Sequence, residues 1–311
     1  MPPNINIEEK RMGKKEIDWS CKHDILIKNE DGSYSPMDEP YFKAEKVTDN
    51  VYKILSSGDY SYVVKGETKG VAIDTGYGAG NIREYEENLI GMPVPDVINT
   101  HNHFDHTANN GYFDKAYMHK KAIPLATIPF KSFEGIEFIT DYERVAVAEG
   151  DIYFLDDKAF EFFEIPDHTD DGIAILDKED RVVFTGDEFM VHGKALRSAT
   201  VKDFSDYLNK LLSRKDDFDY ICAGGGVFDV TLLEDYLKCA NEILSGNLGE
   251  KEEGHPMVFK EERTEDGKLI YDRMIPHPGD GGMGKKGPKP TNLRFLEYAG
   301  KRIMFTEDKI R

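Results

Sequence analysis

The feature that most constrains this chain is a short apolar segment, residues 97–100, that leads directly into the sequence His-Asn-His-Phe-Asp-His at positions 101–106. The segment Val-Ile-Asn-Thr is typical of a buried strand, so the side chains that follow stand at a strand's C-terminal end, where loops converge on sites. A lone histidine is usually an ordinary core or surface residue. Here, three imidazoles and a carboxylate within six positions offer the nitrogen and oxygen ligands of zinc and neighbouring metals. The cluster comprises His101, His103, Asp105 and His106.

Two later segments offer further ligands at the ends of predicted strands. His168 follows the strand-like residues 159–165, and Asp187 ends the apolar run Val-Val-Phe-Thr-Gly-Asp. Three imidazoles with one open position are the ligand pattern of catalytic zinc, and a carboxylate at a sheet edge can bridge two ions. The predicted three-imidazole site is His101, His103 and His168. The predicted neighbouring, oxygen-rich site is Asp105, His106 and Asp187.

The order of strands and helices predicts the architecture. Strand-like segments and helical segments alternate in two similar halves, which favours two sheets packed face to face with helices outside over a doubly wound parallel sheet. The predicted strands are 51–55, 60–65, 70–74, 97–100, 145–148, 152–155, 159–165, 172–176, 182–185 and 220–223, with further strand-like pieces at 257–260, 269–274 and 292–298. The predicted helices are 81–90, 201–213 and 229–244. We expect an irregular N-terminal extension at 1–45, a main domain at 46–245, and a C-terminal extension at 246–311 that completes or covers it.

Composition excludes several classes of partner. The chain has 59 acidic and 40 basic side chains, a net charge of −19, so its surface repels phosphate backbones and anionic lipid. Three scattered cysteines indicate no disulfide framework, and no apolar run approaches the length of a membrane span. The first residues are charged and not apolar. We therefore expect a cytoplasmic protein with a small-molecule substrate, no nucleic acid or membrane partner, and possible self-association into a homo-oligomer.

The metal-ligand segments together resemble a known family. The HxHxDH run at 101–106, His168, and the Thr-Gly-Asp that ends at Asp187 are similar to the metallo-β-lactamase superfamily of metal-dependent hydrolases, over roughly residues 51–244. The resemblance implies an α/β fold, a four-layer αββα sandwich of two mixed β-sheets with outer helices. It also implies one or two zinc ions, with iron or manganese possible. Asp74 would hold the metal loop from behind, although a carboxylate that merely caps a turn is an equal alternative.

One element of the family pattern is absent. Relatives with two metals supply a last histidine from a turn after the next strand, and the corresponding Ile-Cys-Ala-Gly-Gly-Gly at 221–226 has Gly225 at that position. Occupancy of the second metal position therefore stays open. His277 is the first candidate for a replacement, followed by His255 and, more remotely, His192. The Gly/Pro/Lys segment at 280–290 is expected to be a surface excursion, with a flap over the site as the alternative.

The chemistry implied is hydrolysis of an ester, thioester, lactone or related bond in a small molecule. Asp105 is the predicted catalytic residue, because it can orient the attacking water or accept its proton. Two other functions stay open. A mononuclear iron oxidoreductase, dioxygenase-like, uses the same ligand types, whereas diiron relatives carry a glutamate where His103 stands. The glycine at 225 also leaves room for a metal- or ligand-binding protein with a degraded second metal site.

Overall fold

Two β-sheets packed face to face form the centre of the chain. The structure is a computed structural model, and it describes residues 16–191, 193–252, 262–273 and 292–311. His192, His255, His277 and the Gly/Pro/Lys segment lie outside the described residues, so their predicted roles stay predictions. No helix in the described part of the chain is long and apolar enough to cross a membrane.

The strands and helices are numbered in chain order. The strands are β1 (Leu26–Lys28), β2 (Tyr34–Pro36), β3 (Lys43–Lys46), β4 (Val51–Leu55), β5 (Ser61–Lys65), β6 (Gly70–Ile73), β7 (Asp96–Ile98), β8 (Lys115–His119), β9 (Glu143–Val147), β10 (Ile152–Leu155), β11 (Lys158–Glu164), β12 (Ile173–Asp177), β13 (Val182–Gly186), β14 (Gly193–Ala195), β15 (Tyr220–Ala223), β16 (Gly226–Asp229), β17 (Glu250–Lys251), β18 (Glu262–Arg263), β19 (Leu269–Asp272), β20 (Leu293–Tyr298) and β21 (Lys301–Thr306). The α-helices are α1 (Ile82–Ile90), α2 (Phe104–Thr107), α3 (Val201–Leu212) and α4 (Thr231–Leu244).

Both central sheets mix parallel and antiparallel pairs. The first has seven strands in the order β3-β4-β5-β6-β7-β8-β9, antiparallel from β3 to β6 and parallel from β6 to β9. The second has six strands in the order β10-β11-β12-β13-β15-β16, of which only β13 and β15 run parallel. Every residue of β12 and β13 is buried, as expected for central strands covered on both faces.

Three apolar cores separate four layers. The core between the sheets takes side chains from β4 to β6 on one side and from β11 to β13 on the other. A second core lies between the seven-stranded sheet and α1, and a third lies between the six-stranded sheet and the helices α3 and α4. The predicted four-layer αββα sandwich of two mixed sheets is therefore confirmed.

Local sequence explains where the outer helices begin. Asn81 caps α1 by accepting a hydrogen bond from the Glu84 N–H, and Gly91 ends it in a left-handed conformation with φ of 72°. Thr200 and Asp203 form a capping box at the start of α3. These signals account for the close agreement between the predicted and observed helix bounds.

The described part of the N-terminal extension is more ordered than the sequence predicts. Residues 26–36 form β1 and β2 instead of irregular structure, and β3 begins at residue 43 and joins the seven-stranded sheet. β1 pairs in parallel with β19 of the C-terminal extension. A further small sheet, in the order β14-β21-β20-β17, places the end of the chain against α4. Both extensions therefore pack on the main domain.

Candidate metal centre

Loops at one edge of the two sheets bring the predicted ligands together. The first two histidines follow β7, the next carboxylate and histidine lie in the single turn of α2, and the last two residues follow β11 and β13. These residues are His101, His103, Asp105, His106, His168 and Asp187. Together with Asp59 they form two groups, in each of which one nitrogen or oxygen atom per residue lies within 4.8 Å of the others. The first group is His101, His103, His168 and Asp187, and the second is Asp59, Asp105, His106 and Asp187.

Asp187 belongs to both groups because its two oxygens face different histidines. Its Oδ1 lies 3.2 Å from Nε2 of His106, and its Oδ2 lies 3.5 Å from Nε2 of His168. In the first group, Nε2 of His168 also lies 3.0 Å from Nδ1 of His103. The arrangement is that of two adjacent groups of possible metal ligands with one carboxylate between them.

Several nitrogen and oxygen atoms that could bind a metal are buried at the centre and have no hydrogen-bond partner. They are Nε2 of His101, Nε2 of His106, Oδ1 of Asp105 and Oδ1 of Asp187. A buried polar atom without a partner costs about 1–3 kcal/mol, and native proteins leave few of them. His101 belongs to the first group and Asp105 and His106 to the second, with Asp187 in both, so a cation in each group would satisfy these atoms and the side chains fit a metal. The metal's identity does not follow from this arrangement.

Burial keeps the first group of imidazoles neutral. It lowers the pKa of His101 and His168 well below the ordinary value and lowers the pKa of His103 to about 4, with the neighbouring imidazoles acting in the same direction. A neutral imidazole keeps a nitrogen lone pair free, which is the form that binds metal. These three side chains are therefore in the ligand state at neutral pH.

The second group carries the opposite balance of charge. Burial alone would lower the pKa of His106, but the carboxylates of Asp187, Asp74 and Asp105 outweigh it and raise that pKa well above its usual value. Burial and the neighbouring carboxylates raise the pKa of Asp105. Three carboxylates around one imidazole leave an excess of negative charge, which either a proton or a cation must balance.

Asp74 fixes the orientation of His106 from behind. Its carboxylate accepts hydrogen bonds from the Thr100 N–H (2.8 Å), from Oγ1 of Thr100 (2.6 Å), and from Nδ1 of His106 (2.9 Å). Because a carboxylate only accepts, Nδ1 of His106 carries a proton, which leaves Nε2, the nitrogen that faces Asp187, to bind either a second proton or a metal ion. This contact favours the positioning role for Asp74 over a turn cap, although Asp74 also has a left-handed φ of 58°.

A buried ionic network holds the loop that carries His168. The His168 N–H donates to Oε2 of Glu188, and Lys194 lies 2.6 Å from Oε1 of the same carboxylate and 2.8 Å from Oδ2 of Asp167. Asp167 is fully buried and accepts hydrogen bonds from three successive backbone N–H groups at 197–199. Sequence reasoning assigned no role to Asp167, which here fixes the backbone beside His168.

Asp59 is the member of the centre that sequence reasoning missed. It lies in the loop between β4 and β5, and its Oδ2 is 3.6 Å from Nε2 of His106. The available signal was the short run Ser-Ser-Gly-Asp directly after a buried strand. The position of the absent histidine stays a prediction, but of the glycines at 224 and 225 it is Gly224 that faces this group. An added Cβ at Gly225 would approach only Met190, whereas one at Gly224 would lie 2.2 Å from Oδ1 of Asp187.

With the fold and the centre described, the chain can be compared with known proteins. Residues 57–225 match the sequence profile of the metallo-beta-lactamase superfamily. The match covers more than half of the chain, so the chain belongs to this superfamily, as the HxHxDH run predicts. A metal cofactor is a general property that the superfamily and the ligand clusters both indicate.

Individual relatives are distant. The acyl-coenzyme A thioesterase MBLAC2 of Homo sapiens is 26% identical over 181 residues, which are 47% of this chain and 63% of that protein. An atrochrysone carboxyl ACP thioesterase of Pseudocercospora fijiensis is 23% identical over 170 residues, or 54% of this chain and 46% of that protein. The sec-alkylsulfatase Pisa1 of a Pseudomonas species shares the fold, with a TM-score of 0.54 and 13% identity over 71% of this chain and 49% of that one. The chain thus spans less than two thirds of these curated relatives.

Proposed function

We propose that this protein is a metal-dependent hydrolase that cleaves a thioester or related acyl bond of a small molecule. The observation that carries the proposal is Asp187, whose two oxygens face two separate ligand groups across a partly open edge of the sheets. His101, His103 and His168 would hold one cation, and Asp105 and His106 would hold a second. Bound there, a divalent cation supplies Lewis acidity and lowers the pKa of water to about 7.

Individual residues of the chain would have different roles in hydrolysis. Asp105 would hold the second cation and, from that position, orient the attacking water and receive its proton. Water adds to the acyl carbon, the carbon–sulfur bond breaks, and the products are a carboxylate and a thiol that takes up a proton. Asp74 and Asp167 touch no reacting atom in this scheme, because they act by holding His106 and the His168 loop.

The thioester class is supported by relatives and by one charge at the site. Two of the compared relatives are named as thioesterases of acyl carriers. The exposed guanidinium of Arg197 lies beside His168, and its Nη1 is 3.4 Å from that residue's carbonyl oxygen. A cation at the rim of an otherwise acidic protein favours a substrate that carries a carboxylate or phosphate group. Acyl carriers with such groups are therefore the first substrates to test.

The test is thiol release from a panel of acyl-coenzyme A and S-acyl glutathione substrates, beside esters and lactones. We expect release that stops after chelation and returns when zinc or manganese is added. Asp105→Asn should keep at least one metal and lose about a hundredfold or more in rate. An Asp105→Asn protein empty of metal would contradict this division of roles.

The same protein preparation also tests the alternatives. Oxygen uptake without release of thiol, alcohol or acid from any substrate in the panel would replace hydrolysis with the iron-dependent oxidoreductase. Metal binding without turnover of any substrate would leave the metal-binding protein as the remaining function.

A further inference from the structure

The second ligand group contains a carboxylate, Asp59, that comes from a separate loop of the chain. Asp59 approaches His106, Asp105 and Asp187 from the loop between β4 and β5, on the side where β15 ends. Its side chain is 18% exposed, so it closes the group toward the open edge. The group it joins contains buried atoms of His106, Asp105 and Asp187 that have no hydrogen-bond partner.

Gly224 is the position at the end of β15 that faces this group. A Cβ there would lie 2.2 Å from Oδ1 of Asp187 and 3.1 Å from the Cβ of Asp59. Real Cβ atoms do not approach other atoms at 2.2 Å, so a side chain at 224 and the present position of Asp187 exclude each other. The space that a donor from β15 would need is taken by the carboxylates of Asp59 and Asp187.

Three hydrogen bonds hold the loop that carries Asp59. The Tyr60 N–H donates to the Gly224 carbonyl oxygen at 2.8 Å, which ties the loop to β15. The Gly58 N–H donates to the carbonyl oxygen of Arg273, and the Arg273 guanidinium donates to the Ser56 carbonyl oxygen at 2.8 Å. Gly58 has a left-handed φ of 81°, and a Cβ there would lie 2.7 Å from Tyr77.

Arg273 connects this loop to both chain extensions. It is 4% exposed, it follows β19, and it also donates a 2.5 Å hydrogen bond to Oδ1 of Asn29. Its guanidinium stacks on Tyr41 at 3.7 Å from the ring centroid. A buried arginine that joins N- and C-terminal segments to residues 56–58 gives Asp59 a fixed position rather than that of a free surface carboxylate.

We propose that Asp59 is a protein ligand of the second metal position, in place of the absent histidine, and that it shifts the preference of this position away from Zn²⁺ and toward a hard cation such as Mn²⁺. The inference rests on the metal-dependent hydrolase proposed above. Three carboxylates and one imidazole form an oxygen-rich set, and carboxylate ligands suit manganese, whereas imidazole suits zinc. The set of His101, His103 and His168 keeps its preference for zinc. The two positions of this chain thus differ in the metal that each prefers.

The test compares metal binding by the wild type, Asp59→Asn and Asp59→His, each stripped of metal and then loaded with one equivalent of zinc. Manganese is titrated into each, and free Mn²⁺ is followed by its electron paramagnetic resonance signal. Asp59→Asn keeps the size of the side chain but offers a weaker neutral oxygen, so we expect Mn²⁺ affinity to fall by at least about tenfold. Asp59→His should turn the preference of the second position toward zinc.

Asp96→Asn is the matched control, because Asp96 is also a buried carboxylate and lies at the far end of β7 from His101. It should bind both ions as the wild type does. Thermal unfolding of each metal-free variant checks that the fold is retained. Unchanged Mn²⁺ affinity in Asp59→Asn or in Asp59→His overturns the ligand role but leaves the hydrolase standing. A wild type that binds no metal overturns both proposals.

Discussion

Replacing Asp74 by asparagine isolates the effect of one carboxylate that touches no metal in our assignment. Asparagine tolerates the left-handed backbone at this position, so the substitution does not strain the chain. Its amide oxygen can still accept the hydrogen bond from the Thr100 N–H. The amide nitrogen then faces Nδ1 of His106 and donates to it, which obliges His106 to carry its proton on Nε2. That proton points at Asp187 and blocks the lone pair that binds metal.

The expected magnitude follows from the hydrogen bond that is lost. A buried hydrogen bond to a charged group contributes about 1.5–3 kcal/mol. Each 1.4 kcal/mol changes an equilibrium constant about tenfold, so the second metal position should bind about 10- to 100-fold more weakly. The position formed by His101, His103 and His168 should change less, because Asp74 reaches it only through Oγ1 of Thr100, 3.2 Å from Nδ1 of His101.

The assay is competition between the protein and a chromophoric chelator, with the first and second ions followed as separate transitions. Asp96→Asn again serves as the control for loss of one buried negative charge. Thermal unfolding of the metal-free protein separates a change in metal binding from a general loss of stability. If Asp74→Asn binds both ions within twofold of the wild type, the positioning role of Asp74 is wrong.

Two further predictions concern stability. Burial raises the pKa of Glu86 well above its usual value, and neither of its oxygens has a hydrogen-bond partner. The folded state therefore keeps a proton that the unfolded chain releases near pH 4.5, so this residue's contribution to stability falls as pH rises. In urea unfolding at pH 8, the free energy of unfolding of Glu86→Gln should exceed that of the wild type, and the difference should disappear toward pH 4.5. A difference that does not change with pH would refute this. Lys194→Met leaves Asp167 and Glu188 without their cation and should cost about 3–5 kcal/mol, which an unchanged melting temperature would contradict.

The sequence by itself determined those features of the protein that depend on residues close together in the chain. The possible metal ligands at positions 101–106 all lie just after one strand, so a short turn is enough to bring them together. Alternating and fully apolar runs defined most central strands, and capping residues defined α1 and α3 closely. The order of these elements then left few arrangements other than two stacked sheets with helices outside. The candidate ligands His168 and Asp187 could be singled out from the sequence because each lies within a few residues of the end of such a strand.

The tertiary structure alone decided how the second ligand group is completed. Asp59 is one carboxylate in a loop of small residues, and nothing in its spacing connects it to His106, Gly224 or Arg273. Those contacts depend on which strands are neighbours and on their register, where a shift of one residue reverses the direction of every side chain. The weakly patterned β8 and the last strand, β21, were missed for a related reason, since long-range pairing and not local preference stabilises them. Local chemistry thus fixes ligand types, whereas long-range packing fixes which distant side chains meet.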